Sequence, residues 1–158
     1  MFVIKYIMIQ KDENFAMLFM SFVSWEGFMK TVEVVAAMIT KDDKILCTQR
    51  ADDGRFLALK WEFPGGKIEE GETQQEALKR EIQEELKLNI DVHNYFLTVD
   101  HTYPDFRIIM HAYICSMNND SFTLNEHNSF KWLRKGELDS LDWADADKPI
   151  VKKLINAL

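Results

Sequence analysis

A glycine loop followed at once by a glutamate-rich helix is the feature that most constrains how this chain of 158 residues can fold. Thr73 with Glu76 three residues later is a capping box, which predicts a helix beginning just after Thr73. An apolar residue at every fourth position gives this helix a stripe to bury: Leu78, Ile82 and Leu86. The preceding glycines, Gly65 and Gly66, let the backbone come close to a ligand or a metal ion.

Three carboxylates share one face of the predicted helix. At 100° per residue, Glu84 and Glu85 lie about 60° and 40° to either side of Glu81. Like charges at these spacings repel each other by a few tenths of a kcal/mol per pair, and a bound Mg²⁺ or Mn²⁺ ion would neutralise that repulsion. For such a helix in isolation, a solvated face balanced by Arg80 and neighbouring lysines is the alternative. The adjacent glycine loop favours the metal.

The same segment resembles the Nudix box, whose pattern is G-x5-E-x7-R-E-U-x-E-E-x-G-U with U aliphatic. The matching positions are Gly66, Glu72, Arg80, Glu81, Glu84, Glu85 and Leu88. One position departs from the pattern, because Lys87 stands where the family has a glycine. Asn89 is then the residue expected to supply the left-handed turn at the helix end.

The resemblance implies a Nudix α/β/α sandwich around a mixed sheet, covering residues 29–158. It also implies that Glu81, Glu84 and Glu85 bind a catalytic metal, Mg²⁺ with Mn²⁺ as a substitute. The backbone carbonyl of Gly66 is expected to join them. Glu72 and Arg80 correspond to residues that orient the motif.

The order of the predicted elements independently indicates an α+β domain around a mixed sheet. Six stretches read as strands: 32–39, 45–48, 61–63, 90–99, 107–117 and 130–133. A closing helix is expected over 146–158, with Pro149 near its start.

Residues 1–28 differ from the rest of the chain. Five of the eight methionines fall at positions 1, 8, 17, 20 and 29, and Met29 directly precedes the first predicted strand. We expect residues 1–28 to be an extension upstream of the natural start or a dispensable arm. The alternative is an amphipathic segment that packs on the domain or on a partner.

The composition of the chain limits the kinds of partner that it is expected to bind. A net charge of -7 without a Lys/Arg-rich run disfavours a nucleic-acid polymer, although a small anion can bind through a metal cation. No stretch is long and apolar enough to indicate a membrane span. Cys47 and Cys115 lie in apolar runs without CxxC spacing, which indicates buried, reduced thiols in a cytoplasmic protein. The expected state is a monomer or a homodimer.

The residues leading into the box, 61–67, resemble the MutT-type branch of the family, which cleaves nucleoside triphosphates to monophosphate and pyrophosphate. Lys67 of this stretch is a candidate substrate-binding residue. Trp61 and Phe63 are equally consistent with a strand's core face. The tail resembles the same branch, where the position of Asp147 reads the base edge. A helix N-cap is the alternative role for Asp147.

Two further residues correspond to site positions in that branch. Glu126 matches a loop carboxylate that acts as an extra metal ligand or base, and its alternative is an ordinary surface glutamate. Arg50 matches an arginine that contacts the phosphates, with pairing to Asp52 or Asp53 as its alternative. His127 beside Glu126 is interpreted as a structural hydrogen-bonding residue.

The resemblance thus predicts a metal-dependent nucleoside triphosphate pyrophosphohydrolase acting on oxidised purine nucleotides such as 8-oxo-dGTP. The alternative substrates are CTP, dCTP or 5-substituted cytosine nucleotides. A less favoured alternative is a Nudix fold that binds nucleotide without catalysis. One of Glu81, Glu84, Glu85 and Glu126 is expected to be the general base.

Overall fold

The computed structural model describes residues 29–118 and 121–156. The strands are β1 (Lys30–Lys41), β2 (Lys44–Arg50), β3 (Trp61–Glu62), β4 (Gly65–Lys67), β5 (Ile90–Thr102), β6 (Phe106–Met117) and β7 (His127–Arg134). The helices are α1 (Gln74–Leu86) and α2 (Lys148–Asn156), with a 3₁₀ helix at Lys135–Ser140. The predicted N-terminal extension, residues 1–28, lies outside the described residues.

The strands form one seven-stranded sheet in the order β3-β2-β1-β6-β5, with β4 also paired to β1 and β7 to β2. Strand β1 runs parallel to β6 and antiparallel to β2 and β4. The predicted mixed sheet is therefore confirmed, and β1 is its central strand.

Alternation along β1 builds a core on each face of the sheet. Val34, Ala36 and Met38 face one cluster, which α2 completes with Ile150, Val151 and Leu154. The intervening residues Val35, Ala37 and Ile39 face the other cluster, which α1 completes with Leu78, Ile82 and Leu86. A helix on each side of a two-faced strand is an α/β/α sandwich, as predicted.

The elements differ from the sequence prediction mainly at β7, α2 and β4, while the predicted ends of β1, β2, β3, β5 and β6 are off by at most three residues. Strand β7 begins at His127, where the prediction began at 130, and α2 begins at Lys148, where it began at 146. Strand β4 was not predicted, because its pairing with β1 is set by the fold and not by a local pattern. Asp42 and Asp43 make the turn between β1 and β2, and both have positive φ. No helix in the described part of the chain is long and apolar enough to cross a membrane.

Candidate active site

Helix α1 begins and ends through specific caps. The Thr73 side chain accepts a hydrogen bond from the backbone N–H of Glu76, and the Glu76 carboxylate accepts one from the N–H of Thr73, which confirms the capping box. At the other end the expectation for Asn89 is wrong. Lys87 itself takes the left-handed conformation, with φ 51°, and its N–H donates to the carbonyl of Gln83. A lysine therefore occupies the conformation that a glycine adopts at lower cost.

The glycine loop lies directly against the carboxylate face of α1. The backbone N–H of Gly65 donates to Oε2 of Glu85 at 3.1 Å. A Cβ atom on Gly66 would stand 2.4 Å from the carboxylate carbon of Glu81, so only glycine fits there without moving Glu81. Pairing of Gly66 with Val35 of β1 fixes the loop at this distance.

Arg80 ties the loop and the helix together. Its Nε and Nη2 donate to the two carboxylate oxygens of Glu72 at 2.6 and 2.8 Å, and Nη2 also donates to the Lys67 carbonyl at 2.9 Å. Its Nη1 donates to Glu81 at 2.9 Å and to Glu84 at 3.3 Å. The hydrogen bond from Arg80 lowers the pKa of Glu72 to about 2 and raises the Arg80 pKa above its ordinary value. This geometry suits the orienting role expected for Glu72 and Arg80.

Glu85 is the buried member of the carboxylate set. Burial first, and then the nearby charges of Glu62, Glu81 and Glu126, raise its pKa to about 9, although the hydrogen bond from the Gly65 N–H acts to lower it. The four carboxyl groups of Glu62, Glu81, Glu85 and Glu126 therefore lie close enough together for their charges to repel one another. A bound cation would offset both the burial and the repulsion.

Glu126 is held near this cluster by the residue before it. The Asn125 N–H donates to the Glu85 carbonyl at 2.9 Å, and the Asn125 side chain donates to the Glu84 carbonyl at 2.6 Å. These are carbonyls near the end of α1 that the helix leaves unpaired. The loop carrying Glu126 is thus tied to the C-terminal end of α1.

Within residues 29–118 and 121–156, no three His, Cys, Asp or Glu side chains already converge as a group that could hold a metal ion. Glu81 and Glu84 turn toward Arg80, and Glu85 turns toward the Gly65 N–H. The donor set nevertheless fits a hard divalent cation, because it consists of carboxylates, one of them buried and repelled by its neighbours. Glu81, Glu84, Glu85 and Glu126, with the Gly66 carbonyl, are the residues that would hold it.

Asp147 lies on the other core face of the sheet. It is 1% exposed, and its Oδ1 accepts a hydrogen bond from the Phe63 N–H at 3.0 Å. Its backbone carbonyl accepts from Val151 N, so it occupies the helix N-cap position, while its carboxyl group turns to the Phe63 N–H. Burial, and then the charge of Glu62, raises the Asp147 pKa well above its ordinary value. Phe63 stacks on Trp143 with ring centroids 4.7 Å apart, so Phe63 and Trp61 are core residues.

Arg50 pairs with a residue that the sequence analysis did not single out. Its Nη1 donates to Oε2 of Glu62 at 2.8 Å, and His127 Nε2 lies 3.2 Å from Oε1 of the same carboxylate. The expected alternative partner Asp53 instead pairs with Arg55. The signal for Glu62 was its place between two inward-facing aromatics, Trp61 and Phe63, because alternation turns it toward the opposite face.

Lys67 contributes its backbone to the site. Its carbonyl accepts from Arg80, while the residue itself is exposed on β4. The other histidines have local contacts: His93 with Ser116, His111 with Thr98, and His101 edge-on to Tyr103.

Comparisons with known proteins agree on the family. Residues 34–153 match the profile of the NUDIX domain. The chain is 36% identical over 124 residues to the CTP pyrophosphohydrolase of Escherichia coli, covering 78% of this chain and 91% of that one. It is 31% identical over 127 residues to the 8-oxo-dGTP diphosphatase of the same organism, covering 80% and 98%.

A solved structure supports the same assignment. The solution structure of MutT, a Nudix hydrolase from methicillin-resistant Staphylococcus aureus 252, is 45% identical with a TM-score of 0.66, covering 80% of this chain and 97% of that one. The loop, the carboxylate helix and these similarities coincide on the same residues, and the chain belongs to the Nudix hydrolase family.

Proposed function

We propose that this protein is a metal-dependent nucleoside triphosphate pyrophosphohydrolase that converts a triphosphate and water to a monophosphate and pyrophosphate. The observation that carries the proposal is the buried Glu85 carboxylate, held by the Gly65 N–H amid Glu62, Glu81 and Glu126. Such a group is stable as a charged ligand only with a cation beside it. The same cation would meet the phosphates of a nucleotide.

The chain's own residues divide the work of the reaction. Glu81, Glu84, Glu85 and Glu126, with the Gly66 carbonyl, would hold Mg²⁺, or Mn²⁺ in its place. The chemistry that such a cation would supply is polarisation of the phosphoryl oxygens and a lower pKa for an attacking water. One of the four glutamates takes the proton from that water. Arg50 and Lys67 bind the phosphate chain, and positioning supplies most of the acceleration.

Asp147 is the candidate for reading the base. It lies deep in the domain against the Phe63 backbone, and its carboxyl group accepts hydrogen bonds from a base edge that donates them. Oxidised guanine offers an N7–H and cytosine an N4 amine. The similarity to the 8-oxo-dGTP diphosphatase of Escherichia coli supports the first, so the proposed substrate is an oxidised purine nucleotide such as 8-oxo-dGTP.

A cytosine nucleotide is the second candidate, because the CTP pyrophosphohydrolase shares more identity with this chain than the 8-oxo-dGTP diphosphatase does. Both candidates use the same carboxylate cluster and the same bond cleavage. The two candidate substrates differ in their nucleobase.

The cysteines and the net charge support a proposed compartment and a proposed kind of partner. Cys47 and Cys115 are free and buried, and burial raises the pKa of each to about 12, as expected for inert thiols in the cytoplasm. The charge of -7 leaves a single nucleotide bound through metal, rather than a nucleic-acid polymer, as the partner.

The test is pyrophosphate release with Mg²⁺ from 8-oxo-dGTP, dGTP, CTP, dCTP, 5-methyl-dCTP and ADP-ribose. The expected result is metal-dependent release with 8-oxo-dGTP preferred over dGTP. A preference for the cytosine nucleotides would support the proposed reaction and would make a cytosine nucleotide the substrate in place of 8-oxo-dGTP. Binding of nucleotides without any release would point to the non-catalytic alternative and overturn the proposal.

A further inference from the structure

Glu62 has donors on both of its carboxylate oxygens. Arg50 Nη1 donates to Oε2 at 2.8 Å, and His127 Nε2 lies 3.2 Å from Oε1. Arg50 and His127 are opposite one another in the β2–β7 pair, where the register shifts, and Glu62 reaches them from β3. Three strands therefore meet at this one carboxylate.

The hydrogen bond to Glu62 fixes how His127 is used. Because an ionised carboxylate only accepts, Nε2 must carry the hydrogen, and Nδ1 of a neutral ring is then a bare acceptor. The His127 side chain is 4% exposed, and its Nδ1 is the one buried side-chain N or O atom without a hydrogen-bond partner in the described chain. An unpaired buried acceptor is destabilising, so packing alone favours an apolar residue here. The contact with Glu62 is what the imidazole supplies and an apolar residue would not.

A carboxylate at this position needs to be restrained. The charge of Glu62 raises the pKa of Glu85 and that of Asp147. Glu62 therefore lies near both the proposed metal ligand and the residue proposed to read the nucleotide's base. Arg50 is its cationic partner, and Arg50 is 36% exposed with one hydrogen bond from its guanidinium to the described residues. A guanidinium has five N–H donors, which leaves several for an anion.

We propose that His127 is a positioning residue: by donating to Glu62 it holds that carboxylate against Arg50 and so aims the guanidinium at the substrate's phosphates. His127 itself touches no substrate. This inference rests on the proposed function, in which Arg50 binds the phosphate chain.

The test compares three substitutions of His127 with one control. His127→Gln keeps an N–H donor of similar reach, His127→Asn shortens it, and His127→Leu removes it. Thr48→Val is the matched control, because the buried Thr48 hydroxyl donates to the backbone carbonyl of Glu62 and not to its carboxylate. KM and kcat for the best nucleotide of the panel, and the melting temperature, are measured for each.

Loss of the donor is expected to raise KM about tenfold in His127→Leu and His127→Asn with kcat within about twofold, because binding common to ground and transition states is lost. His127→Gln should stay within about threefold of the native KM. Thr48→Val should lower the melting temperature without changing KM. In an Arg50→Gln background, His127→Leu should add less than a twofold change, because the two residues act as a unit.

The proposal is overturned if KM is unchanged in His127→Leu, if Thr48→Val raises KM equally, or if the effects of His127 and Arg50 simply multiply. Should His127→Leu and His127→Asn fail to fold, ¹⁵N NMR of the native imidazole decides: protonated Nε2 with bare Nδ1 supports the contact, and the opposite tautomer removes it. A native protein inactive on every nucleotide would instead refute the proposed function, and this inference with it.

Discussion

Gly65 and Glu85 are joined by a hydrogen bond of 3.1 Å from the backbone N–H of one to the carboxylate of the other. This contact brings a residue near the end of α1 to the loop that precedes the helix. It places the most buried glutamate of the motif beside the backbone of the glycine loop. Two ends of the motif that are 20 residues apart in sequence therefore lie together in one site.

Substitution of Glu84 should lower activity without lowering the stability of the fold. Its side chain is 56% exposed, and its carboxylate contacts only Arg80 among the described residues, so Glu84→Gln should leave the melting temperature within about 2 °C of native. Loss of a metal ligand should lower kcat/KM by at least about 100-fold. Pyrophosphate release at several Mg²⁺ concentrations measures this. Glu70→Gln, an exposed glutamate before the helix, is the control and should stay active, whereas full activity in Glu84→Gln would remove Glu84 from the ligand set.

Gly66→Ala tests how close the loop must come. The new Cβ would stand 2.4 Å from the flexible carboxylate end of Glu81, so we expect the protein to fold with Glu81 displaced. Activity should fall at least about tenfold, and more Mg²⁺ should be needed for half-maximal rate. Gly136→Ala is the matched control, because nothing lies within 4 Å of its added Cβ. Equal effects of the two substitutions would mean that the approach of Gly66 to Glu81 has no part in catalysis.

The helix and its carboxylates were predictable from sequence because their information is local. A capping box, a four-residue apolar repeat and fixed spacings define α1, and the structure places Glu72, Arg80, Glu81, Glu84 and Glu85 on it or beside it. The catalytic roles of these residues remain predictions.

Contacts between distant strands were not predictable. Glu62, Arg50 and His127 come together only through the pairing of β2 with β3 and with β7, which no local pattern encodes. Lys87 shows the same limit within one turn, since the family's missing glycine suggested Asn89, but the helix end imposed φ 51° on the lysine. Local patterns fixed the motif, and tertiary pairing decided what surrounds it.

Asp147 should control which base is accepted. Asp147→Asn keeps an acceptor for the Phe63 N–H, so the fold should persist, while the new amide changes the donors offered to a base. The ratio of kcat/KM for 8-oxo-dGTP to that for CTP should change by about tenfold or more. Asp147→Ala leaves the buried Phe63 N–H unpaired and should cost about 1–3 kcal/mol of stability. An unchanged ratio in a folded Asp147→Asn protein would limit Asp147 to a structural role.

The ion pair of Glu72 with Arg80 predicts how stability depends on acid. The folded pKa of Glu72 is about 2, below its ordinary 4.5, so its contribution is fully present above about pH 4.5 and is lost as pH falls toward 2. Glu72→Gln should therefore be less stable than native at pH 7 and should approach the native stability near pH 2. Urea unfolding at intervals from pH 7 to pH 2 measures the two slopes. Both proteins keep a residual slope, because the pKa values of Glu76, Asp100 and Asp145 are also lowered. Parallel slopes for native and Glu72→Gln would show that the pair with Arg80 does not stabilise the fold.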